Sequence, residues 1–470
     1  MKNFITWIKG VLRMFFRGET IKKAIGAEVA VSSGMQDAIE LWQQMFHNKS
    51  PWLDKNTESL GLAAAVASEI ARLVTVEFHS EITGSQRAEF LQETYNMVLS
   101  KLREQTEFAA ALGGMAWKPY VENGRISIDF VHADRFIPTA YNSRGEITGA
   151  VFVERKKKGS AWYTRLERHQ LTDDGYTVQN KAFISYQESE LGVPASLSSV
   201  DEWAGLEEEI TMGYQDGSTL ERPLFVYFKM PFANQIDAGT PLGVSVYSRA
   251  TELIKQADLQ YSRILWEYEG SELAIDASVM ALDVSPVTAL DGTRLPARKE
   301  RLFRKVDIMK STGDDLYSVF SPAIRDTSLF NGLNQLLRRI EFNCNLSYGT
   351  LSDPQNEAKT AEEIKMSRQR SYSAICEIQK SLEDSLRHLI WVLDYYAGLY
   401  NLAPVGDYEA TFNWGDGVLT DTGVEYTQQK ALVDSGILKP EKLLAWYFGI
   451  SEEEAKDYMP KQQGGIGFEE

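Results

Sequence analysis

Apolar residues recur at helical spacing through the first quarter of the chain. The pattern predicts an amphipathic helix from Met35 to Phe46. The alanine-rich stretch 60–78, LGLAAAVASEIARLVTVEF, predicts a buried helix that turns into a strand near Val74–Phe78. Residues 86–110 predict another helix, which the glycines from Gly113 onward should stop.

From Met115 to about Phe228 the apolar period changes from helical to alternating. Short runs such as RISIDFV, ITGAVFVER and RPLFVYFKM are separated by turn signals, including Asn123-Gly124 and Asp174-Gly175. This pattern predicts an antiparallel β region. Within it, residues 187–207 are expected to form a loop or a short helix.

The second half of the chain returns to long helical patterns. One helix is predicted over 241–268, with Thr240-Pro241 as its N-cap and first turn, and another from Ser328 to Cys344. A polar stretch with Gly349 and Pro354 cannot continue that helix. The longest helix is predicted from Thr360 to Tyr400. Its apolar stripe comprises Ile375, Ile378, Leu382, Leu386, Leu389, Leu393 and Tyr396.

Shorter elements complete the pattern. Strands are predicted near Ser278–Leu282, near Arg301–Val306 and in the segment YEATFNW, and the acidic C-terminal part predicts two or three short helices. The expected fold class is therefore α+β and mainly helical.

Charge restricts where a polyanion could bind. The chain of 470 residues has a formal net charge of -17, which argues against wrapping nucleic acid over the whole surface. Any contact with DNA must be local. Cys344 and Cys376 are expected to be small buried thiols in a reducing compartment rather than a disulfide or zinc framework.

Sequence motifs for catalysis are missing. There is no GxxxxGK[ST] phosphate loop, no HExxH, no GxSxG and no CxxC, and no two of the five histidines stand at metal-ligand spacing. We therefore expect no cofactor and no enzymatic activity. A carboxylate-dependent nuclease or glycosidase remains the enzymatic alternative.

The N-terminal segment 1–35 begins as a basic amphipathic helix. Lys9 and Arg13 interrupt its apolar residues, and no small-residue cleavage site follows. Docking on a neighbouring subunit or partner is favoured over binding to a membrane surface. No stretch is apolar enough to predict a transmembrane helix.

Two segments give the chain a family resemblance. TPLGVSVYSRA (240–250), and DTSLFNGLNQLLRRIEFNCNLSYGTLS (326–352) followed by AKTAEEI, resemble the portal proteins of tailed phages, specifically the siphophage type. The order of predicted elements extends the resemblance over nearly the whole chain, and it is weakest before Met35 and after Asp421.

The resemblance implies a domain organisation. Residues 36–240, helical and then β-rich, would form a wing together with the long helix and strand of 360–420. Helices 241–268 and 328–344 would form a stem, and 269–327 a small α/β clip. Residues 345–359 would be a tunnel loop, and 421–470 a helical crown with the C-terminal tail.

The resemblance also implies a function. Such proteins form a ring, usually of 12 and here expected to have 12 or 13 subunits, at one capsid vertex. Double-stranded DNA passes through the ring during packaging and ejection. The implied partners are the large terminase subunit, a head-tail adaptor, and the major capsid and scaffolding proteins. The implied location is the virion, and the host cytoplasm during assembly. A minor capsid or head-morphogenesis protein is the alternative.

Two sets of candidate residues follow from this resemblance. The channel and tunnel-loop set comprises Arg338, Arg339, Asn345, Ser347, Tyr348, Thr350, Ser352, Gln355, Asn356 and Lys359. The clip set for terminase docking comprises Arg294, Arg298, Lys299, Arg301, Arg304 and Lys305. Arg338 and Arg339 could instead pair with carboxylates of a neighbouring subunit, and the clip cations could form a solvated or inter-subunit surface. The tunnel loop is expected to be mobile, since few apolar residues hold it, unless it is an ordinary exposed connection.

Overall fold

The structure is a computed structural model that describes residues 18–214, 217–271, 274–278, 303–306, 317–320, 325–353, 361–415, 422–448, 455–456 and 458. The basic N-terminal helix expected before Gly18 lies outside these residues. No helix in the described part of the chain is long and apolar enough to cross a membrane.

The N-terminal half contains helices first and strands afterwards. Its helices are α1 (Gly18–Ile25), α2 (Ser33–Phe46), α3 (Leu62–Thr75) and α4 (Gln86–Leu112). Its strands are β1 (His79–Thr83), β2 (Gly114–Glu122), β3 (Arg125–His132), β4 (Phe136–Tyr141), β5 (Ile147–Lys158), β6 (Ala161–Thr172), β7 (Gly175–Ser185), β8 (Val193–Ala195), β9 (Glu209–Met212) and β10 (Val226–Lys229). The predicted change from helical to alternating pattern at Met115 is confirmed.

The C-terminal half is mainly helical. Its helices are α5 (Thr251–Gly270), α6 (Asp326–Asn343), α7 (Ala361–Leu399), α8 (Thr422–Asp434) and α9 (Pro440–Phe448). Its strands are β11 (Ala274–Ser278), β12 (Phe303–Val306), β13 (Tyr317–Phe320) and β14 (Glu409–Asn413). The prediction of a mixed, mainly helical chain is therefore confirmed.

Four sheets are present in the described residues. One has strand order β4-β5-β6-β7-β8, with β9 also paired to β7, and its long antiparallel ladders join β5, β6 and β7. A second has the order β10-β2-β3. In the third, β11 is central, parallel to β12 and antiparallel to β13. The fourth pairs β1 with β14 across more than 300 residues of chain, from His79↔Asn413 to Thr83↔Glu409.

The predicted strand at Val74–Phe78 was wrong in its position. Helix α3 continues to Thr75, and β1 begins only at His79. Strand β1 forms at the residues that pair with β14. The local pattern of residues 60–78 cannot indicate where a strand more than 300 residues away will pair. Tertiary pairing therefore overrode the β-branched residues at the end of the helix.

The predicted helix start at Thr240-Pro241 was also wrong, since α5 begins at Thr251. Residues 242–247 cross the end of α4 instead, where the N–H of Val246 donates to the carbonyl of Ala110. A Cβ at Gly243 would collide with the carbonyl oxygen of Gly113, which has a φ of 88°. This close crossing requires glycine on both sides and excludes a helix there.

One large core joins the helices to the sheets. Trp42, Trp117 and Tyr247 are fully buried within it, and the Tyr247 hydroxyl donates to the Trp42 carbonyl at 2.9 Å. All of the predicted α7 stripe from Ile375 to Tyr396 is buried. That stripe is covered inside a single subunit.

Candidate functional site

Helices α5 and α6 pack against each other as a pair. Ile254, Ala257 and Ile264 of α5 and Leu333 and Ile340 of α6 belong to the same buried core. Each stripe follows helical spacing, so the two apolar faces meet along their length. The pair is therefore a two-helix unit whose remaining faces are available to other contacts.

An ion pair joins the C-terminal end of α5 to the start of α6. Arg325 donates from Nη2 to Glu267 Oε2 at 2.9 Å and from Nε to Oε1 at 3.1 Å. The hydrogen bonds from Arg325 lower the pKa of Glu267. This forked geometry holds the two helix ends together beside the segment from which β11, β12 and β13 arise.

Asp258 attaches α5 to the body of the subunit. It is buried, and it accepts hydrogen bonds from Trp52 Nε1 and from the N–H of Leu60, both at 2.9 Å. Burial raises the pKa of Asp258, although both hydrogen bonds oppose that change. One helical turn later, Ser262 Oγ accepts from the N–H of Glu58 at 2.9 Å. These contacts fix the direction in which α5 leaves the body.

The connection after α6 is built around one buried carboxylate. Glu341 is fully buried, and its Oε1 accepts from the N–H groups of Gly349, Leu351 and Ser352 at 3.1, 2.6 and 2.8 Å. Its Oε2 accepts from the Ser352 hydroxyl at 2.8 Å. A buried carboxylate requires this degree of satisfaction, so Glu341 determines the path of residues 349–352.

Other contacts hold the same turn from both sides. The Arg370 guanidinium of α7 lies 4.4 Å from the Phe342 ring centre and 5.5 Å from that of Tyr348, and it donates to the Leu346 carbonyl at 3.3 Å. The N–H of Asp353 donates to Asn334 Oδ1 at 2.8 Å. We name residues 344–353 the anchored turn.

Two residues of the anchored turn need left-handed backbone. Asn345 has a φ of 56° and Gly349 a φ of 89°. Asparagine and glycine tolerate this region better than other residues. The polar composition read from the sequence therefore serves tight turns and hydrogen bonds to a carboxylate.

Hydrogen bonds to Glu341 hold residues 349–352, whereas few contacts were expected in the tunnel loop. Ser352 is 4% exposed, so its side chain is committed to Glu341 rather than available to DNA. Thr350 is exposed, whereas Asn345, Ser347 and Tyr348 are half-buried. Gln355, Asn356 and Lys359 lie outside the described residues.

The adjacent arginines of α6 differ in exposure. Arg338 is 8% exposed and packs inside the subunit, so little of its side chain is open to contact from outside. Arg339 is exposed on a different side of the helix and remains a candidate. The helical period of 3.6 separates neighbouring side chains by about 100°, which explains the difference.

The clip candidates are described only in part. Arg304 and Lys305 lie on the edge strand β12, opposite Asp276 and Ala277 of β11. Arg294, Arg298, Lys299 and Arg301 lie outside the described residues. The described chain thus places a short basic segment at the edge of a small sheet between α5 and α6.

Sequence reasoning missed Glu341, Asp258 and Arg370. Each is a charged residue within or beside an apolar helical stripe, and that interruption is the signal that could have found them. Among the described residues, no group of His, Cys, Asp and Glu could hold a metal ion. Burial raises the pKa of the Cys344 thiol, in agreement with the expected core position.

Several aromatic side chains of the α5–α6 pair face solvent. Trp266 is 68% exposed, Phe330 45% and Phe342 53%. Large exposed aromatic residues are typical of surfaces that meet a protein partner. The exposed aromatic side chains of the α5–α6 pair are therefore candidates for contact with another protein chain.

Comparison with known proteins identifies the family. No curated protein sequence matches the chain significantly. Two solved structures are similar at 12% identity. The first, the virion of a native gene transfer agent particle, has a TM-score of 0.43 over 88% of this chain and 94% of that chain. The second, the neck of the native gene transfer agent particle computed with C12 symmetry, has a TM-score of 0.45 over 91% and 98%. The family model for the phage portal protein, SPP1 Gp6-like, matches residues 47–466. The chain therefore belongs to the SPP1 Gp6-like family of phage portal proteins.

Proposed function

We propose that the protein forms a ring of 12 or 13 subunits at one capsid vertex and that double-stranded DNA passes through this ring during packaging and ejection. The observation that carries the proposal is the family match over residues 47–466. The family is a structural one, and the protein would perform no chemistry. Its place would be the virion, after assembly in the host cytoplasm.

The α5–α6 pair is the element best suited to line or support the channel. It is fixed to the body by Asp258, closed at its end by Arg325 and Glu267, and followed by the anchored turn. A passage for DNA needs walls that hold their position while the polymer slides. It also needs few cations, because each phosphate contact adds to a strongly salt-dependent affinity.

The anchored turn would set where the tunnel loop starts. Within 344–353, Thr350 is exposed and Asn345, Ser347 and Tyr348 are partly exposed, so these are the described candidates for contact with DNA, together with Arg339 of α6. Gln355, Asn356 and Lys359 remain candidates from the sequence. The basic segment at Arg304 and Lys305 is proposed to dock the large terminase subunit and, later, the head-tail adaptor. The major capsid and scaffolding proteins are the partners expected during assembly.

The exposed aromatic residues support the assembly of several subunits. Trp266 and Phe330 project from different helices of the pair, and each would bury a large apolar area against a neighbour. Light scattering of the purified protein should show a species of several hundred kilodaltons, and electron microscopy should show rings with a central opening. A monomer at all salt and protein concentrations would contradict the proposal.

A minor capsid or head-morphogenesis protein is the second candidate. It would share exposed aromatic surfaces but would form no closed ring. Images that show assemblies without a central channel would favour this alternative. Cleavage of DNA by the purified protein with Mg²⁺ would instead support an enzyme.

A further inference from the structure

One face of the six-stranded sheet is strongly basic in a chain that is acidic overall. This face carries α1, whose Ile21 and Ile25 pack on Val151, Leu166 and Phe183. Strand residues alternate between the two faces of a sheet, so the residues that share a face with these apolar side chains can be identified from the register. We name this surface the α1 face. Its cations are Lys22, Arg135, Arg155, Lys157, Arg168 and Lys181.

Register and contacts place the cations on the same side. Arg168 lies opposite Val151, and Lys181 lies opposite Leu166. Lys181 also donates to the Ala24 carbonyl at 3.2 Å, which ties it to the end of α1. Residues 155 and 157 continue the alternation from Val153, another member of the α1 core. The basic surface is therefore continuous with the α1 contact.

Two of these cations share one aromatic ring. The Arg155 guanidinium lies 4.9 Å from the centre of the Trp162 ring, and Lys157 Nζ lies 5.2 Å from it. Burial lowers the pKa of Arg155 and of Arg168. Repulsion from the positive charge of Arg135 also lowers the pKa of Arg155. Arg155 and Arg168 are thus held partly out of water, and Glu188 raises the pKa of Arg155 in the opposite sense.

The opposite face of the same strands shows the contrast. There Arg165 pairs with Glu154 at 2.8 Å, Lys156 with Glu202 at 2.9 Å, and Lys118 with Glu167 at 2.6 Å. Charges on that face are balanced within the subunit.

The α1 face carries fewer carboxylates. Glu28 pairs with Lys22, Glu188 lies near Arg155, and Glu209 lies opposite Gln179 on the same side as Lys181. Asp134, largely buried, lies 4.0 Å from Arg135. In the described part of the chain, cations outnumber carboxylates on this surface.

We propose that the α1 face binds the phosphate backbone of double-stranded DNA outside the channel. The choice of DNA rests on the proposed function, which places the subunit against packaged DNA. It also rests on the composition of the face. Protein interfaces usually have an apolar core, but here α1 already covers Val151, Leu166 and Phe183. What stays exposed is mainly Lys and Arg, the composition of a nucleic-acid interface.

The binding would be independent of sequence. The Trp162 ring is already covered by Arg155 and Lys157, so it is not available to stack on a base. Separate cations on a sheet face can meet phosphates, and phosphate contacts carry no sequence information. The overall charge of -17 would keep the affinity low and strongly dependent on salt.

A closed circular duplex provides the decisive probe. It cannot thread a closed ring, so its binding to assembled protein reports surfaces outside the channel. The triple variant Arg135→Gln, Lys157→Gln, Lys181→Gln should weaken binding about tenfold or more at low salt. It should also reduce the slope of log affinity against log salt by about 2 to 3. The control Lys49→Gln, Lys55→Gln, Lys101→Gln removes the same charge from exposed sites elsewhere and should change the slope by less than about 1.

Other outcomes separate this proposal from the channel function. Unchanged affinity and salt slope in the triple variant would overturn it, even if rings form normally. Binding of a polyglutamate peptide that matches or exceeds the duplex at equal charge would show a protein-binding surface and would overturn the choice of DNA. Light scattering of all variants reports ring formation separately, so a failure of assembly is not mistaken for loss of the α1 face.

Discussion

Helix α7 and the α5–α6 pair differ in how much of their large apolar side chains is exposed to solvent. On α7, the stripe that contains Ile378, Leu386 and Leu389 is completely buried by the subunit's own sheets and helices. On the α5–α6 pair, Trp266 and Phe342 remain more than half exposed. Burial within one chain stabilises the subunit, whereas exposed aromatic area can contribute only when another chain covers it. The comparison separates the residues that fold the protein from those available for assembly.

The largest effect is expected from a charge in the α7 stripe. Leu386→Asp or Leu389→Asp should lower the free energy of unfolding by at least about 4 kcal/mol, because a fully buried carboxylate would have no partner. Soluble yield and thermal melts followed by circular dichroism would measure this loss. Lys380→Asp places the same charge on the exposed side of α7 and should melt like the parent protein. Normal melts from both leucine variants would show that the stripe is not a core.

A second prediction for α7 concerns pH. His388 donates through Nε2 to the Pro223 carbonyl at 2.9 Å, and burial lowers its pKa to about 4. Its pKa in the unfolded chain is about 6.5. The unfolded state therefore binds more protons between these values. The stabilisation is complete above about pH 6.5 and is lost as the pH falls toward 4, by about 3 kcal/mol in total.

The variant His388→Gln isolates this contribution. It keeps a donor for the Pro223 carbonyl but cannot be protonated. Denaturant unfolding of both proteins at a series of pH values should show a shallower pH dependence for the variant between pH 6.5 and 4. If the two curves run parallel, His388 is not held in a buried, neutral form in the native state.

The variant Glu341→Gln tests how α6 holds the anchored turn that follows it. The amide offers one acceptor oxygen to four donors and adds N–H groups that face them, so a loss of about 2 kcal/mol is expected. Hydrogen exchange should show faster exchange at Gly349, Leu351 and Ser352. Glu377→Gln on the exposed face of α7 is the matched control. Unchanged protection in 349–352 would contradict the role assigned to Glu341.

The smallest effect on the subunit is expected from Trp266→Ala. The side chain is mostly exposed, so the free energy of subunit unfolding should change by less than about 0.5 kcal/mol. Assembly should nevertheless weaken, since exposed tryptophans are frequent anchors of interfaces. Light scattering across protein concentrations would detect this weakening, because the variant would dissociate at a higher protein concentration than the parent. A large loss of subunit stability without any change in assembly would reverse the distinction between the two regions.

Prediction from the sequence succeeded where local period and burial agree. The stripe of α7 and the helix stop at Gly113 are of this kind. It failed where a segment's partner is distant in the chain. The helix start expected at Thr240-Pro241 gave way to a close crossing of two glycines, and β1 needed β14 to exist at all.

The candidate residues divide in the same way. The polar stretch after α6 and the pair Arg338-Arg339 were identified from the sequence, but their exposure was not. Helical rotation buries one arginine and exposes the other, and the carboxylate of Glu341 draws Ser352 inside. The α1 face could not be predicted, because its cations come from α1, β5, β6 and β7 and the segment before β4, and only the register brings them together.

The sequence by itself determined the change from helical to β-rich and back to helical segments, the burial of the α7 stripe and the family resemblance. These properties depend on residue type and on periods of two or 3.6 residues, which act over a few neighbours. The tertiary structure alone decided that residues 345–353 form an anchored turn, which aromatic residues stay uncovered and where positive charge accumulates. Those properties depend on which distant segments pack together, because burial and charge density are set by neighbours in space rather than along the chain.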